Sequence, residues 1–210
     1  MSELALLGLP PSSYVRTARM ICANKGVPYT LQPVDFRSAA YKADHHPFGK
    51  MPALRHGEVR LYECLAIGVY VDGVFDGPAL QPSDPLGKAR MMQWISVLND
   101  YIYRTVVGAC VAERFVKPMR GLDPDEAVIA AAVPIMAAQL DVIDATLQDQ
   151  LWLAGERMTL ADLFLAPVLH YLAATPEGDM LLPDRAALRD WMSRVSETPD
   201  YATINATGPG

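Results

Sequence analysis

Apolar and polar positions change their period along the chain. "LALLGL" (4–9) is a short unbroken apolar run that ends at Pro10-Pro11, and it predicts a strand. "SSYVRTARMICANKG" (12–26) sets Val15, Ala18 and Cys22 on one helical face, with Ser12 or Ser13 as its cap and Gly26 as its stop. "VPYTLQPVDF" (27–36) predicts a second strand, and "AAYKAD" (39–44) a brief helix. "PALRHGEVRLYE" (52–63) predicts a hairpin turning near His56-Gly57, and "CLAIGVYVDGVF" (64–75) a helix after it.

The resulting order, β-α-β-α-β-β-α, gives a mixed four-stranded sheet in a thioredoxin-like α/β domain. "DGPALQPSDP" (76–85), with three prolines and a glycine, reads as a linker. Beyond it the pattern is helical throughout. One long helix is predicted over 86–115. Another over 123–150 has an Asp cap and Pro124 at its first helical position, and two more cover 159–173 and 184–198. The expected domains are therefore 1–75, α/β, and 86–210, all-α, joined by 76–85. In "MTLADLFLAPVL" (158–169), Thr159 and Asp162 form a capping box, so Asp162 is expected to serve folding rather than binding.

Charge narrows the partners. The formal charge is −6, from 18 basic and 24 acidic side chains, and no Lys/Arg run provides a phosphate-binding patch. Nucleic acid is excluded as the main partner. "MSELALLGLPP" has an acid near its start and a proline pair where a secretory signal needs an apolar core. The most apolar stretch, "AVIAAAVPIMAAQL" (127–140), is interrupted by Pro134 and too short for a bilayer, so it reads as a buried helix with no membrane partner. Cys22, Cys64 and Cys110 are odd in number and widely spaced, which points away from a disulfide framework or a zinc site and toward the cytoplasm. No metal is expected. No G-x-S-x-G, P-loop or G-x-G-x-x-G occurs.

Four segments then align in order with this division: "PPSSYVRTARMICANKGVPY", "HPFGKMPAL", "LYECLAIGVYV" and "MTLADLFLAPVL". Together they resemble the cytosolic glutathione transferases, serine type with a tau-, phi- or zeta-like first motif, over nearly the whole chain. The resemblance implies the glutathione transferase fold, glutathione as cosubstrate, a hydrophobic electrophile and a homodimer. It also implies that the Met51–Pro52 bond is cis, leaving the Met51 N–H and carbonyl at the sheet edge to pair with the cysteinyl part of glutathione. On the residues alone, Pro52 reads as a proline opening an edge strand, where its missing N–H is tolerated.

By the same resemblance, Glu63 holds the amino group of glutathione, and the helix start at Cys64 receives its γ-glutamyl carboxylate. Cys64 replaces the family's usual serine with a poorer donor, which is expected to weaken binding. Glu63 as a simple complement to the helix dipole is the structural alternative. Lys50, with His45 or His46, is expected near the glycyl carboxylate.

The free thiol has a pKa near about 8.5 and is a weak nucleophile until it ionises. Ser12 falls on the family's thiolate-stabilising serine, Ser13 is the second choice and Tyr14 the third; helix capping is the structural role open to either serine. Arg16 and Arg19 either raise the local potential or bind groups within the fold. Cysteine is absent from this position, so chemistry through a mixed disulfide is not expected. Cys22 reads as core. Tyr14, Tyr101 and Arg104 are candidates for the electrophile pocket. Three activities fit: conjugation, a glutathione-dependent isomerisation or dehalogenation, and non-catalytic binding on the same fold.

Overall fold

A computed structural model describes residues 3–206. The chain forms two compact units. One runs to Gln81 and includes the stretch from Thr198; the other is Pro82–Glu197.

In the first unit the elements are β1 (Leu4–Leu7), α1 (Ser13–Asn24), β2 (Thr30–Gln32), α2 (Ala39–Asp44), β3 (Ala53–His56), β4 (Val59–Tyr62) and α3 (Cys64–Val74). The sheet order is β2-β1-β3-β4, with β1 and β2 parallel and the other pairs antiparallel. Leu6 faces Leu31 on one side and Leu54 on the other. Every residue of β1 is buried, because a strand at the centre of a covered sheet has no wet face. That explains its unbroken apolar run. The second strand is shorter than its pattern: only Thr30–Gln32 pairs, between Pro28 and Pro33, which cannot donate to a ladder. On α1, Val15, Ala18, Ile21 and Cys22 are fully buried, and α1 packs against α3. Gly26 just past its end has φ 67°, the left-handed conformation that stops a helix.

The stretch expected to be a free linker is anchored in its first half. Asp72 accepts from the Leu80 N–H (2.8 Å) and from Gln81 Nε2 (3.0 Å), and pairs with Lys25 Nζ at 3.1 Å. Lys25 also donates to the Gly77 carbonyl. The C-terminal helix α10 (Tyr201–Asn205) packs on α1, so this end belongs to the first unit and not, as expected, to the helical half.

The second unit opens with α4 (Pro85–Val97), capped by Asp84, whose carboxylate accepts from the Gly87 N–H at 2.8 Å. It continues unbroken as a π-helical segment, Leu98–Val116, into α5 (Lys117–Met119). α6 (Glu126–Asp149), α7 (Leu160–Ala173), α8 (Pro176–Leu181) and α9 (Ala186–Ser196) follow. Twelve residues of α7 are buried, and α4, the π segment, α8 and α9 surround it.

Two expectations change here. The cap of α6 is Asp125, which accepts from the Ala127 and Val128 N–H groups, and Pro124 lies outside the helix. The Asp125 N–H donates to Glu113 at 2.7 Å, so tertiary pairing favours the later aspartate. Pro134 does not break α6. By length and composition alone, its 24 residues could cross a membrane. Ile129, Met136, Leu140 and Ile143 nevertheless bury one face, and α6 packs against the π segment and α9.

Arg114 joins three elements of this unit. Its Nε donates to both oxygens of Glu177 at 3.1 and 3.2 Å, and its Nη2 to Glu126 at 2.9 Å. These bonds hold the buried Glu177 carboxyl below its ordinary range. A depressed folded pKa gives stability that is complete above the unfolded value of 4.5 and lost as the pH falls through the folded one. Below pH 4.5 the wild type is therefore expected to lose stability more steeply than Glu177→Gln, as read from denaturation midpoints at stepped pH.

Candidate functional site

The first unit gathers three short backbone stretches. The first is the turn Leu9–Ser12, closed by the Ser12 N–H donating to the Leu9 carbonyl at 3.1 Å. Gly8 permits it: a Cβ there would lie 2.4 Å from Val15 Cγ2, so only glycine lets the end of β1 approach α1 this closely. Ser12 is the N-cap of α1, with φ −68° and ψ 125°, and its Oγ accepts from the Val15 N–H at 3.4 Å. That bond uses an oxygen lone pair and leaves the hydroxyl hydrogen for a ligand. Ser12 is half-buried, whereas Ser13 is 5% exposed within the helix.

The second stretch is His46–Pro52. The Met51–Pro52 bond is cis, as the resemblance implies. The Met51 N–H and carbonyl have no hydrogen-bond partner among the described residues. The Met51 sulfur accepts from the Leu9 N–H at 3.3 Å and so ties this stretch to the serine turn. Tyr41 donates its hydroxyl to the Lys50 carbonyl at 2.8 Å, while the Lys50 side chain is exposed.

The third is the start of α3. Glu63 is its N-cap, at φ 69°, a left-handed conformation that a glutamate adopts only when its surroundings impose it. The Glu63 carboxylate makes no cap bond and is 65% exposed, so it is turned outward rather than back onto its own helix. The first helical bond of α3 is Ile67 N–H to the Glu63 carbonyl, and the amides before it form an anion-attracting terminus. Cys64 is buried, and its S–H donates to the Tyr14 carbonyl at 3.4 Å. Burial pushes its thiol pKa far up, so the group stays protonated. Its side chain therefore joins α3 to α1, and only its backbone amide remains at the helix start.

Of the two histidines, the structure brings His46 to the site and not His45. His46 is 1% exposed, with Nε2 3.8 Å from Glu63 Oε1 and its ring 4.9 Å from that of Tyr62. Burial lowers its pKa, which keeps it neutral. His45 packs instead beside Tyr41, ring centroids 5.6 Å apart. Tyr14 lies in the first turn of α1; Tyr101 and Arg104 lie exposed on the π segment of the second unit. Cys22 is core, its thiol pushed up to about 12 by burial. Arg19 donates to the Tyr29 hydroxyl at 3.0 Å, a contact within the fold. Among the described residues no three His, Cys, Asp or Glu side chains cluster to hold a metal. Tyr41 and the Met51 sulfur went unrecognised in the sequence; neither contact follows a periodic pattern.

Comparison with known proteins finds relatives of both halves of the chain. Residues 6–79 match the family described as glutathione S-transferase, N-terminal domain, and residues 99–199 that described as glutathione S-transferase, C-terminal domain. Glutathione S-transferase 3 of Zea mays is 28% identical over 215 residues, covering 100% of this chain and 96% of its own. A glutathione S-transferase of Hyoscyamus muticus is 29% identical over 184 residues, or 85% and 86% of the two chains. Among solved structures, glutathione S-transferase III in its apo form superposes with a TM-score of 0.89 at 30% identity, covering 100% of this chain and 98% of its own. Glutathione transferase F7 from Populus trichocarpa gives 0.88 at 27%, covering 97% and 98%. With both halves matched in order and relatives aligned along its full length, the chain belongs to the glutathione S-transferase family.

Proposed function

We infer that the protein is a glutathione transferase: it binds glutathione in its first unit and delivers the sulfur, as thiolate, to an electrophilic small molecule. The observation that carries this reading is the junction of the three stretches. The Leu9–Met51 bond joins the serine turn to the cis peptide, and the Cys64–Tyr14 bond joins the start of α3 to α1.

Each stretch has one task. The free Met51 N–H and carbonyl pair with the cysteinyl segment, as a short antiparallel strand would. Glu63, turned outward, takes the ammonium group, and the α3 amides take the γ-glutamyl carboxylate. Lys50 reaches the glycyl carboxylate. The Ser12 hydroxyl donates to the sulfur, favouring thiolate over thiol and lowering its pKa. Ser13, nearly closed off from solvent, is the lesser candidate. The thiolate then forms a bond to an electrophilic carbon, whose leaving group departs with the bonding pair. Tyr14, Tyr101 and Arg104 are the residues proposed to contact that electrophile. The active form is proposed to be a homodimer in the cytoplasm.

A glutathione-dependent isomerisation or dehalogenation would use the same thiolate. Non-catalytic binding would be supported by Cys64 in place of serine, a poorer donor toward glutathione. That support falls away, because the thiol is turned inward to Tyr14 while the helix amides remain.

Titration calorimetry with glutathione tests the binding reading. Glu63→Ala is expected to weaken affinity by about tenfold or more, the loss from removing one partner of a charge pair at a partly exposed site. A wild type that takes up no glutathione would contradict the proposal.

A further inference from the structure

Arg16 is fully buried one turn into α1, where packing alone would favour an apolar side chain. Its Nε donates to the Pro10 carbonyl at 3.3 Å, and its Nη1 to Asn205 Oδ1 at 3.4 Å. Asn205, in α10, is 3% exposed, and its Nδ2 donates to the Tyr201 carbonyl at 2.9 Å. That second bond fixes which end of the amide is the oxygen, and so aims the oxygen at the guanidinium. The Tyr201 hydroxyl also feels this cation: burial raises its pKa and Arg16 opposes the rise.

Pro10 is the second residue of the turn that ends in Ser12. Pro10 and Pro11 have no N–H, so this turn cannot be fastened through its central amides. The bonds that hold it include the Leu9 N–H on the Met51 sulfur, the Ser12 N–H on the Leu9 carbonyl, and, last, the Pro10 carbonyl under Arg16. The last of these leads to the C-terminal helix.

We propose that Arg16 is a positioning residue for Ser12, and that α10 completes the arrangement, Asn205 aiming the guanidinium that holds the turn presenting the serine hydroxyl. The consequence for the thiol rests on the reading of Ser12 given above. Donation from Ser12 to sulfur depends on placement to a fraction of an ångström, whereas affinity for the tripeptide is carried by Met51, Glu63 and the α3 amides. Loosening the tie therefore raises the pKa of the bound thiol and lowers turnover, while the glutathione dissociation constant stays unchanged at a pH low enough that the bound thiol is protonated.

The test uses three variants of the full chain: Asn205→Leu, similar in size without an acceptor; Arg16→Lys, which keeps the charge without the fork; and Asn205→Asp, which restores an acceptor. Glutathione affinity, thiolate absorbance of the bound tripeptide against pH, and amide hydrogen exchange at Leu9 and Ser12 are measured on each. In Asn205→Leu and Arg16→Lys, exchange at these amides is expected to quicken about tenfold, and the bound thiol's pKa to rise by about one. Asn205→Asp returns both toward wild type. If Ser12→Ala raises the thiol pKa but Asn205→Leu changes neither exchange nor ionisation, the inference is overturned and the Ser12 reading stands. If exchange quickens in Asn205→Leu while the wild-type thiol is itself unshifted, the tie stands and the Ser12 reading fails.

Discussion

Asp162→Ala is expected to destabilise the protein by about 4 kcal/mol, the upper range for a single substitution. Asp162 is fully buried at the start of α7, and both carboxylate oxygens are engaged. Oδ1 accepts from the Leu153 N–H at 3.0 Å and from Trp191 Nε1 at 2.9 Å. Oδ2 accepts from the Thr159 N–H at 2.8 Å and from its hydroxyl at 3.1 Å. Removing the carboxylate strands three buried N–H donors from three separate places in the second unit, each costing about 1–3 kcal/mol. Asn at this position keeps one acceptor and is expected to retain part of the stability. Burial raises the carboxyl's pKa and the four bonds oppose that rise, so the residue organises local structure against its own desolvation. Denaturant unfolding reads the loss directly. Glutathione affinity of whatever fraction remains folded should match wild type, since Asp162 belongs to the second unit and glutathione is assigned to the first.

Ser12→Ala is expected to lower kcat/KM for conjugation by about 10²–10³-fold, the scale for removing one hydrogen-bond donor from a developing or resident anion. Ser12 also caps α1, and loss of the cap costs about 1 kcal/mol of stability. A cap defect of that size does not slow a molecule that is still folded. Ser12→Thr is the conservative control, since it keeps both hydroxyl and cap and should retain most activity. Ser13→Ala should leave kcat/KM close to wild type. Steady-state rates with an aryl halide as electrophile, on variants shown to be folded, decide between the serines.

The first unit was legible because its chemistry and its backbone use the same short patterns. The apolar run of β1, the Ser12 cap, the Gly26 stop and the hairpin into α3 are all local, and each local signal agrees with its surroundings. Contacts between elements were not legible. The inward-facing Cys64 depends on how α3 meets α1, and the choice of Asp125 as cap depends on Glu113 lying beside it. The short β2 reflects prolines that remove pairing donors at either side of three residues. α10 was missed because five residues carry too little periodicity to mark a helix, although they complete the packing around Arg16. The histidine at the site was ambiguous for the same reason, since His45 and His46 are neighbours in sequence and only the end of α2 decides which one turns inward.

The central claim is that Ser12 holds glutathione sulfur as thiolate, and the ultraviolet absorbance of bound glutathione titrated against pH tests it most directly, in wild type and Ser12→Ala at saturating protein. The account predicts a bound thiol pKa well below the free value of about 8.5 in the wild type. It also predicts a return toward that value in Ser12→Ala with glutathione still bound. A wild type that binds glutathione with an unshifted thiol, or a Ser12→Ala variant that ionises it as the wild type does, would contradict the claim.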